Sequence, residues 1–238
     1  MSFLTKLFKA FSDLQLNDKQ PLHGEQLDFV LVGSMYAAQQ SAYLNSYTTG
    51  LSKDEIRELL EEYWDIYSSE DGKEILASLI ERNSDPYLSV VYEAYENNER
   101  YVEILKSGLP GDEDSFQQYL QIYRKLKDVI PEVTAQEGVF ENYAALKKTK
   151  DAAWNYGRAS FIARCCFDMG YLSENELKQY LEASYQGLKK FCTTWKEYTS
   201  SYVYGRALWG GSHNEGMISI AEDLLSNKKS PLMAKVNI

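Results

Sequence analysis

Apolar residues recur at three- and four-residue intervals along nearly the whole chain, and strict apolar–polar alternation is almost absent. The spacing predicts helices near 2–14, 24–47, 52–67, 71–82, 86–107, 113–129, 136–147, 150–169, 174–192, 194–209 and 214–226. The five prolines fall at helix starts or between periodic stretches. Ser52 with Glu55 and Ser173 with Glu176 form two Ser-x-x-Glu capping boxes. Both follow a glycine and a Leu-Ser step, Gly50-Leu51-Ser52 and Gly170-Tyr171-Leu172-Ser173, and both lead toward a tryptophan (Trp64, Trp195). Either an ancient helical-hairpin duplication or the ordinary punctuation of such hairpins accounts for that likeness.

The expected fold is therefore all-α: a single-domain multi-helix bundle around a buried central helix at about 150–169. That helix carries Trp154, Phe161, Ile162, Cys165 and Met169 on one arc and Ala152, Ala159, Ser160 and Ala163 on the other. A helix apolar all round is a buried one. The expected division is an amphipathic helix and linker over 1–20, the helical domain over 21–226, and a frayed tail over 227–238. The 107–114 stretch reads as an acidic surface loop inside the domain. Phe3, Leu4, Leu7, Phe8, Phe11 and Leu14 give the first helix an apolar face that is expected to dock on the domain or on a partner; a membrane surface is the alternative, for which Lys6 and Lys9 are few cations.

Within this pattern the tetrapeptide Tyr-Gly-Arg-Ala occurs twice, at 156–159 and 204–207. Arg158 falls in the middle of the Trp154 arc. Arg206 falls at the edge of an arc of Trp195, Tyr198, Tyr202, Gly205 and Trp209. A guanidinium among aromatics needs carboxylates, carbonyls or an anion to satisfy it. Trp154 is one turn from Arg158, and a cation–π contact contributes only about 0.5–2 kcal/mol. Two readings follow. Either a protein carboxylate pairs Arg158, or Arg158 and Arg206 hold an anionic ligand in an aromatic pocket lined by Trp154, Trp195, Tyr202 and Trp209.

A net charge of −10 and an isoelectric point near 4.8 argue against nucleic-acid binding, which needs a basic footprint. The acid is concentrated. From 54 to 65, Asp54, Glu55, Glu58, Glu61, Glu62 and Asp65 alternate with Ile56, Leu59, Leu60, Tyr63 and Trp64, with Tyr67 continuing the apolar side. Such a stripe is a solvated face or a docking surface for a basic protein partner. No transmembrane run or signal-peptide core is present, so the chain is expected in the cytoplasm, with Cys165, Cys166 and Cys192 as reduced, packed thiols.

Catalytic chemistry is sparse. The two histidines, His23 and His213, complete no metal-binding Glu-x-x-His pair, and no P-loop, dinucleotide fingerprint or Ser/His or Cys/His constellation is present. His213, between Ser212 and Glu215, is a weak acid–base candidate in a turn. No catalytic residue, metal site or cofactor is assigned.

The order of Gly50-Leu51-Ser52, Tyr63-Trp64-Asp65-Ile66, Trp154-Asn155-Tyr156-Gly157-Arg158, Arg164, Gly170-Tyr171-Leu172-Ser173, Thr194-Trp195, Tyr202 and Gly205-Arg206-Ala207-Leu208-Trp209 resembles a bacterial family. This is the YbeU/YbeR-like domain of unknown function, number twelve-sixty-six among such domains, with coverage from about 36 to 209. The family pattern has Asp where this chain has Asn155, and Ser where it has Thr194. The first change removes a carboxylate that would stand beside Arg158. The resemblance implies a bacterial cytosolic helical domain and brings no activity with it.

The expected function is thus a non-enzymatic interaction module, of the immunity type, that neutralises a basic toxin or effector through the acidic stripe. The alternative is an enzyme or small-ligand sensor built on Arg158 and Arg206.

Overall fold

The computed structural model describes residues 13–81, 85–135, 139–210 and 214–238. Among these residues the chain is all-α, with no strand and one isolated bridge between Thr194 and Asn237. The helices are α1 (Gly24–Leu31), α2 (Ser34–Gln39), α3 (Lys53–Trp64), α4 (Ser69–Glu81), α5 (Leu88–Glu96) and α6 (Tyr101–Gly108), then α7 (Glu113–Ala135), α8 (Tyr143–Thr149), α9 (Ala152–Met169), α10 (Glu174–Leu188), α11 (Trp195–Trp209) and α12 (Glu215–Ser226). The amphipathic stretch expected over 2–14 lies almost wholly outside the described residues, and so does His213.

α9 is the hub, packed against α1, α2, α3, α4, α10 and α11. Ala159, Ser160, Phe161, Ile162 and Ala163 are fully buried, as a helix apolar on every side requires. The small side admits a close approach. A β-carbon at Gly33 would lie 3.0 Å from Ser160 Oγ and 3.1 Å from the Phe161 amide nitrogen. That approach divides the helix expected over 24–47. The chain bends at Val32–Gly33, and the backbone groups freed there are met by Tyr198 of α11. Its hydroxyl donates to the Val32 carbonyl at 2.7 Å and accepts from the Met35 amide at 3.2 Å.

After α2 the chain runs irregularly through 40–52. It is held by Arg164 of α9, whose Nη2 donates to the Tyr43 and Thr48 carbonyls at 2.6 and 2.9 Å. Asp168, one turn on, accepts from the amide and hydroxyl of Thr49 at 2.7 and 2.6 Å. Both capping boxes form, each after a glycine at positive φ (Gly50 +75°, Gly170 +80°). The likeness of the two turns ends there, because a helix leads into Gly170 while the irregular stretch leads into Gly50.

Three further expectations differ from the structure. The helix expected over 136–147 starts only at Tyr143, where the Asn142 side chain caps it, and runs to Thr149. The helix expected over 86–107 breaks after Glu96, where the Asn97 side chain donates to the Glu93 carbonyl and Asn98 accepts from Tyr123. The one expected over 113–129 continues through Pro131 to Ala135. The buried face of Val129, Ile130 and Val133 carries on past the proline and offsets the cost of its missing amide.

The stretch after Ser226, expected to fray, is docked. Leu232 is fully buried, and the backbone of Trp195 and Ile238 bonds Val236 and Thr193 at 3.2 and 3.0 Å. Lys235 pairs with Asp28. One apolar anchor and an antiparallel backbone pairing hold a segment whose composition alone reads as loose.

Candidate functional site

The two Tyr-Gly-Arg-Ala segments meet where α9 crosses α11. Each glycine receives an aromatic residue of the other helix. A β-carbon at Gly157 would lie 2.7 Å from Tyr202 Cε2, and one at Gly205 would lie 2.3 Å from Trp154 Cβ. Trp154 and Tyr202 then meet edge to face, with ring centres 5.1 Å apart. The crossing needs hydrogen at both α-carbons.

Arg158 emerges beside this crossing and is half-buried. Its guanidinium lies over two indoles, 4.4 Å from the ring centre of Trp154 and 5.2 Å from that of Trp64 on α3. Nε donates to the Trp154 carbonyl at 3.2 Å, and Nη2 donates to the Asn155 side-chain oxygen. Among the described residues no carboxylate lies within ion-pair distance of Arg158, so the expected carboxylate buttress is replaced by an amide and two rings. Burial pulls the guanidinium below its ordinary pKa, while the hydroxyls of Tyr202 and Tyr36 and the carboxyl of Asp151 act to raise it. Tyr36 accepts a bond from the Trp64 indole at 3.3 Å, and burial pushes its hydroxyl up to about 12.

Tyr202 is fully buried and its hydroxyl has no hydrogen-bond partner among the described residues. Burial drives its pKa well above the usual phenol value, opposed by the positive charges of Arg158 and Arg206. Both arginines therefore act on one hydroxyl. Arg206 is half-buried, is partnered, and folds toward the Gly210 turn, where a β-carbon would meet its Nη1 at 2.7 Å.

Trp209, 37 % exposed at the end of α11, donates its indole N–H to Asp151. Asp151 is buried before the first turn of α9, its other oxygen lacks a partner, and burial raises its pKa. Ser201 of α11 meets the backbone around it, accepting from the Ala153 amide at 3.1 Å and donating to the Lys150 carbonyl at 2.7 Å. Trp195 stands apart from this group. It opens α11, about 21 Å along the axis from Trp209 at 1.5 Å per residue. Its buried ring packs edge to face on Tyr198.

The residues brought together are thus Trp64, Trp154, Arg158, Tyr202, Arg206 and Trp209, with Tyr36 and Asp151 behind them. Sequence reasoning missed Tyr36 and Asp151 here and placed Trp64 only on the acidic helix. It also missed Arg164, the one fully buried arginine among the described residues. Its signal was legible as a lone charge in the Ala163-Arg164-Cys165-Cys166-Phe167 run. Burial lowers the Arg164 guanidinium to about 10, still a cation at neutral pH; loop carbonyls accept from its Nε and Nη2, while Nη1 is buried with no partner among the described residues. The neighbouring thiols are buried and unbridged, with Cys166 pushed up to about 12 by desolvation.

The acidic stripe lies on α3. Ile56, Leu59 and Leu60 face inward, and Asp54, Glu62 and Asp65 are exposed, with Glu55, Glu58 and Glu61 half-buried. Glu55 serves the capping box, and Asp54 pairs Arg57 at 2.8 Å. Tyr63 and Tyr67, expected on the inner side, are 59 % and 60 % exposed. Asp65 in the left-handed conformation (φ 52°) ends α3 and turns the chain, so Tyr67 no longer continues the helical face, and Tyr63 flanks the buried stripe rather than joining it.

Among the described residues no three metal-ligating side chains converge, and no helix is long and apolar enough to cross a membrane. No curated protein and no solved structure matches the chain. The sequence model of one family, described as "Protein of unknown function (DUF1266)", matches residues 59–236, a span that takes in the Tyr63 and Trp64 end of α3, both Tyr-Gly-Arg-Ala segments and the docked C-terminal stretch. By that match, over most of its length, the chain belongs to the DUF1266 family.

Proposed function

We propose that this chain is a non-enzymatic interaction module that captures a basic protein segment on the outer face of α3. The observation that carries the reading is the exposure of Tyr63 and Tyr67, at 59 % and 60 %, on a surface that also bears Glu58, Glu61, Glu62 and Asp65. Exposed rings among carboxylates supply the two halves of lysine and arginine recognition, a π face for the cation and a counter-charge beside it. A net charge of −10 steers such a partner from a distance. The finer proposal is a bacterial, cytoplasmic, YbeU/YbeR-like protein of the immunity type that neutralises a basic toxin or effector.

The test is titration of the purified basic product of a neighbouring reading frame, at low and high salt. Glu58→Lys/Glu61→Lys/Glu62→Lys is expected to weaken capture about tenfold or more at low salt while far-UV circular dichroism stays unchanged. Equal affinity of the triple variant and the native chain would overturn the reading.

A further inference from the structure

A second group of side chains brings cations and indoles together. Three of the four tryptophans (Trp64, Trp154, Trp209) and two arginines (Arg158, Arg206) gather at one place on a protein of net charge −10. The guanidinium carbon of Arg158 lies over the rings of both Trp64 and Trp154, and its N–H edges are what it offers a partner. Two edges are taken, Nε by the Trp154 carbonyl and one Nη2 proton by Asn155. Nη1 bonds no acceptor among the described residues. The phenol of Tyr202, wholly buried within electrostatic reach of Arg158, is a donor with nothing to donate to.

We propose that Arg158, with the Tyr202 hydroxyl, forms a binding site for a small oxyanion, a phosphate or a carboxylate, held edge-on beside the indoles of Trp64 and Trp154.

The physical argument has three parts. A guanidinium edge offers two parallel N–H donors matched to the oxygens of a carboxylate or phosphate. The two indole rings beside it keep water from part of the cation without neutralising it, which strengthens its attraction for an anion. Stacking also fixes the side chain beforehand, so little rotamer entropy is lost on binding. Arg206 is partnered, and its charge acts on the Tyr202 hydroxyl without being a required contact of the proposed site. This site is independent of the acidic face of α3, and either can fail without the other.

The test follows the indole N–H resonances of the ¹⁵N-labelled full chain during titration with inorganic phosphate and, separately, with acetate, against sodium chloride at matched ionic strength. Trp64 and Trp154 are expected to shift and saturate, while Trp195, remote and buried, stays still. The tighter-binding anion identifies the phosphate or the carboxylate arm. Arg158→Lys keeps the charge and loses the planar edge, and is expected to raise Kd about tenfold or more. Tyr202→Phe keeps the packing and loses the donor, and is expected to raise Kd severalfold. The proposal is overturned if neither anion moves Trp64 and Trp154 beyond the chloride control. It is equally overturned if Arg158→Lys, folded by circular dichroism, binds as tightly as the native chain. The native titration decides the matter even where a variant fails to fold.

Discussion

Gly205 of α11 stands against Trp154 of α9 so closely that a β-carbon at 205 would lie 2.3 Å from Trp154 Cβ and 3.3 Å from Asp151 Cβ. No rotamer change relieves that approach, since a β-carbon moves only with its backbone. The reciprocal contact, Gly157 against Tyr202, meets ring atoms at 2.7 Å and the Val32 carbonyl at 3.2 Å.

Gly205→Ala is therefore expected to destabilise the fold by about 1–3 kcal/mol or more through overpacking, despite the roughly 1 kcal/mol that alanine gains in helix propensity. Gly157→Ala follows with a smaller loss. Gly216→Ala, on α12 with nothing within 4 Å of its β-position, is expected to be neutral or stabilising by up to about 1 kcal/mol. Urea unfolding of the three variants checks the opposite signs.

Tyr198→Phe leaves the Val32 carbonyl without its donor and the Met35 amide without its acceptor in a fully buried place. The expected cost is about 1–3 kcal/mol with secondary structure retained, read from the urea midpoint. Wild-type stability in this variant would show that the bend at Gly33 needs no external partner.

Arg164→Gln removes the cation that gathers the Tyr43, Tyr47 and Thr48 carbonyls. The expected loss is about 2–4 kcal/mol, since the loop oxygens are left buried without donors. Amide hydrogen exchange should accelerate over residues 40–52 ahead of α10 and α11. Uniform acceleration would mean that Arg164 supports the whole fold rather than the loop.

Asp151 gives stability a pH dependence of known sign. Burial raises its native pKa above the ordinary 3.8, so the native state holds the proton more tightly than the unfolded chain. The corresponding stability is full below the unfolded pKa and is lost as pH rises through the native one. The difference in unfolding free energy between the native chain and Asp151→Asn is expected to shift in favour of the variant from about pH 4 upward. A pH-independent difference would place the carboxyl in contact with water.

On α3, Tyr63→Ala/Tyr67→Ala is expected to change stability by less than about 0.5 kcal/mol, because both rings are largely exposed. The same pair of changes should weaken capture of a basic partner. A large stability loss would instead make these rings part of the packing.

Much of the fold is legible in the pattern of apolar positions. Helical periodicity marks α3, α4, α9, α10, α11 and α12 to within a few residues, and Ser-x-x-Glu fixes the starts of α3 and α10, because both signals act over one or two turns. The repeat of Tyr-Gly-Arg-Ala likewise points to the α9–α11 crossing. Where a distant side chain takes over a local task, the pattern misleads. Tyr198 stabilises the bend at Gly33, Arg164 holds the irregular 40–52 stretch, and Leu232 docks a tail of loose composition.

The same boundary runs through the candidate sites. Sequence alone determined that the chain is helical, that α9 is buried, and that Arg158 lies among aromatics, since each follows from spacing along one helix. Only the tertiary structure decided that two indoles from different helices, and among the described residues no carboxylate, flank Arg158, and that Tyr63 and Tyr67 face water. Periodicity fixes the direction in which a side chain leaves its own helix. What it meets there depends on the crossing of other helices, and that is set by groups far apart in the chain.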